Sequence, residues 1–275
     1  MSDRIAAASG RSRRQYESPV YGALLLVWGD DIHVGMFDAG HPDLAAATAH
    51  TNAAMATSAG ITRDDKVLVV ACGVGGASRY LAKDCGARVT ATNISHIQLA
   101  ESERRARAQG GIDRLEHYFA DFNDLPFDAN SFDVWWCQDS LYQAGDPRVV
   151  LKQAVRVLKP GGRLVMSDRL LAAEVDDATR QTLRGGLNGP GLSTAAEHAA
   201  WFAELGLETL VHVDGSEHIG PTFARVYDGW QAHKDAFAGI NAEAVEETDV
   251  RLKLWADASA DGRLEWAYWV VRKPA

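Results

Sequence analysis

Two rhythms of apolar positions alternate between residues 60 and 170. Short apolar runs of strand length recur at 66–71, 87–92, 114–119, 132–137 and 162–167. Stretches with helical spacing lie between them, at 76–84, 95–109 and 147–158. Strands alternating with helices at this interval predict a parallel sheet covered on both faces. Upstream, 24–28 is an apolar patch, and 43–59 is Ala-rich and predicts a helix with Asp43 near its N-cap. Lys159-Pro-Gly-Gly is expected to end the helix before it and turn the chain. Downstream, helices are expected over 174–183, 194–205, 223–237 and 242–258. Strands are expected at 207–213 and 263–272, and a Gly/Pro/Asn loop over 185–191. The predicted fold is α/β: a Rossmann-like, seven-stranded, mostly parallel sheet with helices on both faces. An N-terminal helical segment precedes it and a helical cap is inserted.

Residues 1–15 are Arg-rich without an apolar run and read as a disordered tail. Residues 16–275 read as a single domain. It divides into an N-terminal segment (16–60), a cofactor-binding core (61–170), a substrate cap (171–240), and a C-terminal helix and strand (241–275).

The first strand enters Ala71-Cys-Gly-Val-Gly-Gly, so a tight turn with Gly73, Gly75 and Gly76 sits between strand and helix. Glycine has no Cβ, so such a loop can turn sharply and let a ligand approach the backbone. Ser78 stands where a dinucleotide fingerprint has its third glycine, and no Gly-Lys-Ser/Thr phosphate loop occurs. The second strand ends in Asn93, 20 residues after Gly73, where nucleotide-binding α/β folds place a polar residue on the ribose.

Ligands of such sheets sit beyond the carboxyl ends of the strands. Those ends carry Ala71, Asn93 and Ile94, Asp121 and Phe122, Gln138 and Tyr142, and Arg169. Asn93 suits ribose hydroxyls, Asp121 an exocyclic amine, and Phe122 a purine face. An adenosine site without a phosphate receptor points to S-adenosyl-L-methionine. Arg169 is placed to pair with a carboxylate or diphosphate of the acceptor. His33 is the candidate base, and the Tyr142 hydroxyl can face the acceptor. Trp28, Trp201, Tyr227 and Trp230 lie outside the sheet and either enclose a methylated ammonium or form the core of the cap.

The net charge of −9 disfavours a nucleic-acid partner. The three cysteines lack metal or redox spacing and read as reduced thiols of a cytoplasmic protein, with no metal expected. No apolar run reaches membrane-span length, so a membrane partner is not expected. A small-molecule acceptor is expected, and a homo-oligomer is compatible with this composition.

Residues 67–82 resemble motif I of class I S-adenosylmethionine-dependent methyltransferases. Residues 93–98 (Asn-Ile-Ser-His-Ile-Gln), 124–133 and 158–162 resemble their following motifs, so the likeness spans about residues 60–170. Trp28-Gly-Asp-Asp-Ile-His-Val-Gly35, Trp136-Cys-Gln-Asp-Ser140 and Tyr16-Glu-Ser are similar to glycine/sarcosine/dimethylglycine N-methyltransferases. The resemblance implies methyl transfer to a small amine. It adds Tyr16, Trp28, Gly73, Gly75 and Gln98 to the expected cofactor contacts, and Trp28 and Gln143 to the acceptor side. Gln143 stands where those enzymes usually carry His. Methylation of carbon or oxygen on a natural product such as an isoprenoid is the alternative; a non-methylating cofactor-binding scaffold is a third.

Overall fold

The structure, a computed structural model, describes residues 3–109 and 113–275. Three helices come first: α1 (Asp3–Tyr16), α2 (Pro19–Trp28) and α3 (Leu44–Ala59). The core follows as β1 (Lys66–Val69), α4 (Gly76–Lys83), β2 (Arg88–Asn93), α5 (His96–Ala108), β3 (Leu115–Phe119), β4 (Phe132–Gln138), α6 (Pro147–Val157) and β5 (Leu158–Leu171). Then come α7 (Asp177–Gly186), α8 (Ala195–Glu204), β6 (Glu208–Asp214), α9 (Ile219–Ala232), α10 (Ala242–Ala260) and β7 (Leu264–Arg272).

All seven strands form one sheet in the order β3-β2-β1-β4-β5-β7-β6. The first five are parallel, and β7 runs antiparallel to both β5 and β6. Successive strand side chains point to opposite faces, and both faces are buried. Val67, Val69, Trp136 and Val165 pack on one side; Leu68, Trp135, Leu164 and Met166 pack on the other. Continuous apolar strands are what a parallel sheet covered twice requires. The order reverses between β1 and β4, and the crevice there is where such sheets bind ligands.

The helix signals act as the sequence suggests. The Asp43 carboxylate accepts from Ala46 N at 2.8 Å and starts α3, and Gly60 at φ 60° ends it. Asp146 caps α6, with Pro147 in its first turn.

Two expectations are corrected, on residues 3–15 and on Lys159-Pro-Gly-Gly. Residues 3–15, expected as a disordered tail, belong to α1, because Ile5, Ala8 and Ser12 share a face that docks on the fold; Met1 and Ser2 lie outside the described residues. The patch at 24–28, within the expected N-terminal helical segment, is the end of α2, which Pro19 begins with its φ preset. The chain does not leave the sheet at Lys159-Pro-Gly-Gly. Leu158 already pairs with Phe132, the register shifts, and Gly161 at φ 77° donates to Lys273 O at 2.8 Å. Within residues 171–240, the strand expected at 207–213 is β6, at the edge of the sheet.

Candidate functional site

One cavity opens at the carboxyl ends of β1, β2 and β4, roofed by α1 and α2 and walled by α9 and α10. At the β1 end, Ala71 (φ 51°) and Gly73 (φ 56°) both take left-handed backbone conformations. The position a Gly73 Cβ would take is open space within 4 Å, so the loop's main chain faces the cavity. Gly75 does a different job. It does not line the cavity; its φ is 86°, and a Cβ there would overlap Ser102 on α5. Its missing side chain lets two helices meet. Gly76, at the start of α4, lets the Asp30–Asp31 segment lie against the helix; a Cβ there would overlap the Asp31 carboxylate. Arg79 and Arg105 both bond to Asp30 and fix that segment.

At the β2 end, Asn93 is 3% exposed. Its Oδ1 accepts from Ser95 N at 2.9 Å, and its Nδ2 donates to Gln98 Oε1 at 2.7 Å. Gln98 is thereby turned so that its buried Nε2 has no partner, and both residues line the cavity together with Ile94 and Phe122. A buried donor without a partner beside an open glycine loop fits a ribose hydroxyl. Asp121 does not line the cavity. Its Oδ2 accepts from Ser9 at 2.7 Å and its Oδ1 from Asn123 N at 2.9 Å, so its carboxylate is spent on holding α1 and its own turn.

His33 is corrected as a base. Nδ1 lies 3.1 Å from Val34 O and Nε2 3.1 Å from Asn52 Oδ1, so both ring nitrogens face acceptors. Burial lowers its pKa, but Asp31 Oδ1, 3.6 Å from Nε2, outweighs this and the pKa is raised. With a partner at each ring nitrogen, the imidazole has no free lone pair facing the cavity to take up a proton. Gln138 is likewise committed: Nε2 donates to Asn52 Oδ1 at 2.9 Å, and Oε1 accepts from Trp136 Nε1 at 2.8 Å.

A chain of polar groups runs through the acceptor end. Tyr16 donates to Gln143 Oε1. Gln143 Nε2 donates to the Tyr142 hydroxyl at 2.9 Å, which also accepts from Arg169 Nη1 at 3.2 Å. Burial raises the pKa of both tyrosines and pushes the nearby Cys72 thiol up to about 12. Arg169 Nε faces Asp139 Oδ2 at 3.3 Å. With Nε and Nη1 taken, Arg169 lacks the free fork expected for bidentate capture of an anion.

Asp139 organises this end, and the sequence marks it only as a strand-end residue. Its backbone takes φ 45° and its side chain is fully buried. The carboxylate accepts from Val34 N (2.8 Å), Ser167 Oγ (2.6 Å) and Trp266 Nε1 (2.8 Å) besides Arg169. Thr248, Arg251, Leu252 and Trp255 of α10 and Phe223 of α9 complete the wall. Arg251 donates to Thr248 Oγ1 at 3.2 Å and has no carboxylate partner among the described residues. Of the four aromatics read as either an ammonium enclosure or core of the cap, Trp28 lines the cavity; Trp201, Tyr227 and Trp230 do not, and Trp230 is fully buried in the core.

Asp38, His41 and His50 gather on the surface. Their imidazoles stack at 4.0 Å and 18°, which sets the ring nitrogens side by side; His41 bonds Asp38 and His50 bonds Met36 O. The cluster clamps the 38–41 turn onto α3.

Comparison with known proteins agrees with this geometry. A family model described as a methyltransferase domain matches residues 68–166. The chain is 31% identical to a dimethylglycine N-methyltransferase of Parasynechococcus marenigrum (strain WH8102), over 90% of each chain. The chain belongs to the class I S-adenosylmethionine-dependent methyltransferases. A glycine/sarcosine/dimethylglycine N-methyltransferase of Actinopolyspora halophila is also 31% identical, over 87% of this methyltransferase, which spans 43% of that longer protein. The [4+2]-cyclase SpnF shares the fold with a TM-score of 0.82 at 23% identity, over 97% of this chain and 96% of its own. No helix of the methyltransferase among the described residues is long and apolar enough to cross a membrane.

Proposed function

We propose that this methyltransferase acts on the nitrogen of a small amine bearing an anionic group, of the sarcosine or dimethylglycine kind. One observation carries the reading: every group lining the cavity that could serve as a base is engaged or held protonated, and a guanidinium stands beside it. Asp30, Asp31 and Asp139 are hydrogen-bonded or ion-paired. Both His33 ring nitrogens are hydrogen-bonded, and burial raises the tyrosine and cysteine pKa values. An oxygen or carbon acceptor must shed a proton during the reaction. An amine need only arrive neutral, and buried positive neighbours favour its neutral form.

S-adenosylmethionine supplies an electrophilic methyl group on a sulfonium. Gly73 and Ala71 offer main-chain groups to it, Gln98 Nε2 a ribose contact, Asn93 the orientation of Gln98, and Ile94 and Phe122 apolar surface for the base. Tyr16 closes the cavity through Gln143, Trp28 forms its floor under Arg169, and Gln138 holds Asn52 and hence His33. The Tyr142 hydroxyl, polarised by Arg169, orients the acceptor, and Arg251 pairs with its anionic group. Positioning and exclusion of water are the protein's share of the rate.

A second reading is favoured by Tyr21, Leu24, Leu187 and Leu252, which give the acceptor side an apolar lining suited to a larger hydroxylated natural product. One experiment decides: S-adenosylhomocysteine formation is measured with glycine, sarcosine, dimethylglycine, uncharged amines and a panel of apolar alcohols. Turnover of carboxylate-bearing amines above all others is expected. Turnover confined to the alcohols overturns the amine reading.

A further inference from the structure

Arg169 is enclosed on several sides by rings. Its guanidinium carbon lies 5.6 Å from the Trp28 ring centre, 5.2 Å from Tyr142, 5.0 Å from Phe223 and 5.1 Å from Trp255. These rings come from α2, the 3-10 turn Leu141–Gln143, α9 and α10, segments far apart in sequence. They also brace one another. Phe223 stacks on Trp255 at 4.8 Å and 9°, Trp28 meets Phe223 edge-on at 6.0 Å, and Tyr142 meets Trp255 edge-on at 5.5 Å. Aromatic rings gathered around one point form a receptor for a methylated ammonium ion. Here the point is already taken: Arg169 is 5% exposed and is tied from behind by Asp139.

We propose that Arg169 is a tethered cation occupying a latent quaternary-ammonium box. The site therefore admits an amine in its neutral form and does not retain the methylated, cationic product. In the transfer the amine lone pair forms the N–CH3 bond as the S–CH3 bond breaks, and the positive charge passes from sulfur to nitrogen. The rings that would hold that charge already hold a guanidinium, so like-charge repulsion helps the product leave. The statement about product rests on the amine reading above; the occupancy of the box does not.

Tetramethylammonium chloride, titrated calorimetrically into protein saturated with S-adenosylhomocysteine, tests it without any acceptor. The wild type is expected to bind it weakly, and Arg169→Ala about tenfold or more tightly, since the rings and the Asp139 carboxylate are then free for it. A wild type that binds as tightly as the variant overturns the proposal. So does a variant that is folded by circular dichroism and binds S-adenosylhomocysteine normally, yet gains nothing. Adding Trp255→Leu to Arg169→Ala should abolish the gain, and a gain that persists removes the box from the account. If Arg169→Ala does not fold, Arg169→Ala with Asp139→Asn empties the box without leaving a lone buried carboxylate, and the same titration on the rings alone decides. A tetramethylammonium gain in an enzyme that methylates no amine refutes the amine reading alone. Amine turnover without the gain refutes the box alone.

Discussion

The two ends of the cavity are built on opposite plans. The cofactor end takes its groups from the tips of adjacent parallel strands. Ala71, Gly73, Asn93, Ile94 and Phe122 fall in order along about 50 residues, and their near neighbours orient them. The acceptor end is gathered from α1, α2, the turn after β4, β5, α9 and α10, and one carboxylate, Asp139, receives four donors from three separate segments: the loop after α2, β5 and β7. The first plan is fixed by backbone topology and the second by packing. A shared fold therefore preserves the methyl-donor site while the acceptor site is free to diverge.

The largest effect should come from the joint of the second plan. Asp139→Ala leaves the Arg169 guanidinium buried without its counter-charge and should cost about 3–5 kcal/mol of folding stability, read by chemical denaturation. Asp139→Asn should lose less, because the amide oxygen still accepts; equal losses would mean that the charge alone carries the effect and the accepted hydrogen bonds add nothing. Next are the two glycines of the loop. Gly75→Ala should cost about 1–3 kcal/mol of stability through its positive φ and the overlap with Ser102. Ser102→Gly should restore only the steric share. Gly73→Ala should instead act mainly on cofactor affinity.

Asn93→Ala should weaken S-adenosylhomocysteine binding by about 1–3 kcal/mol by calorimetry, since Gln98 loses its orienting partner, while the acceptor KM stays put. Arg251→Ala should do the converse, raising KM for carboxylate-bearing amines about tenfold and leaving the S-adenosylhomocysteine Kd within about twofold. Variants that move both constants together would dissolve the distinction between the two ends.

The smallest effect is one of pH. The His33 pKa is raised in the fold above its ordinary 6.5. Its contribution is therefore full below the unfolded pKa and is lost as pH rises through the folded value. Thermal melts of His33→Gln should show less of this loss than the wild type between near-neutral pH and the folded pKa. An identical pH dependence would mean that the ring is neutral in the native state.

These differences also explain what could be read from the chain. Sheet, helices and strand-end residues were legible because strand length, helical spacing and turn residues are local. Asp121 misled because a strand-end carboxylate looks the same whether it faces a ligand or Ser9. His33 misled because its partners Asn52 and Asp31 are identified only by the fold. Arg251, Phe223 and Trp255 carried no local signal at all: which face of α9 or α10 turns to the cavity depends on packing against α2. In α1, the Ile5–Ala8–Ser12 face is small among four arginines, and it is stabilised by its dock rather than by its own propensity.

That dock has a kinetic meaning. Helix α1 forms a wall of the cavity, yet little more than Ile5 and Ala8 anchors it in apolar surroundings. Ser9 to Asp121, Gln15 to Asn188 and Tyr16 to Gln143 supply the rest of its hold. A segment with few buried apolar contacts opens at a fraction of the cost of global unfolding. Local undocking of this helix should therefore precede global opening, and the first backbone amides to exchange with deuterium should be those of residues 3–16.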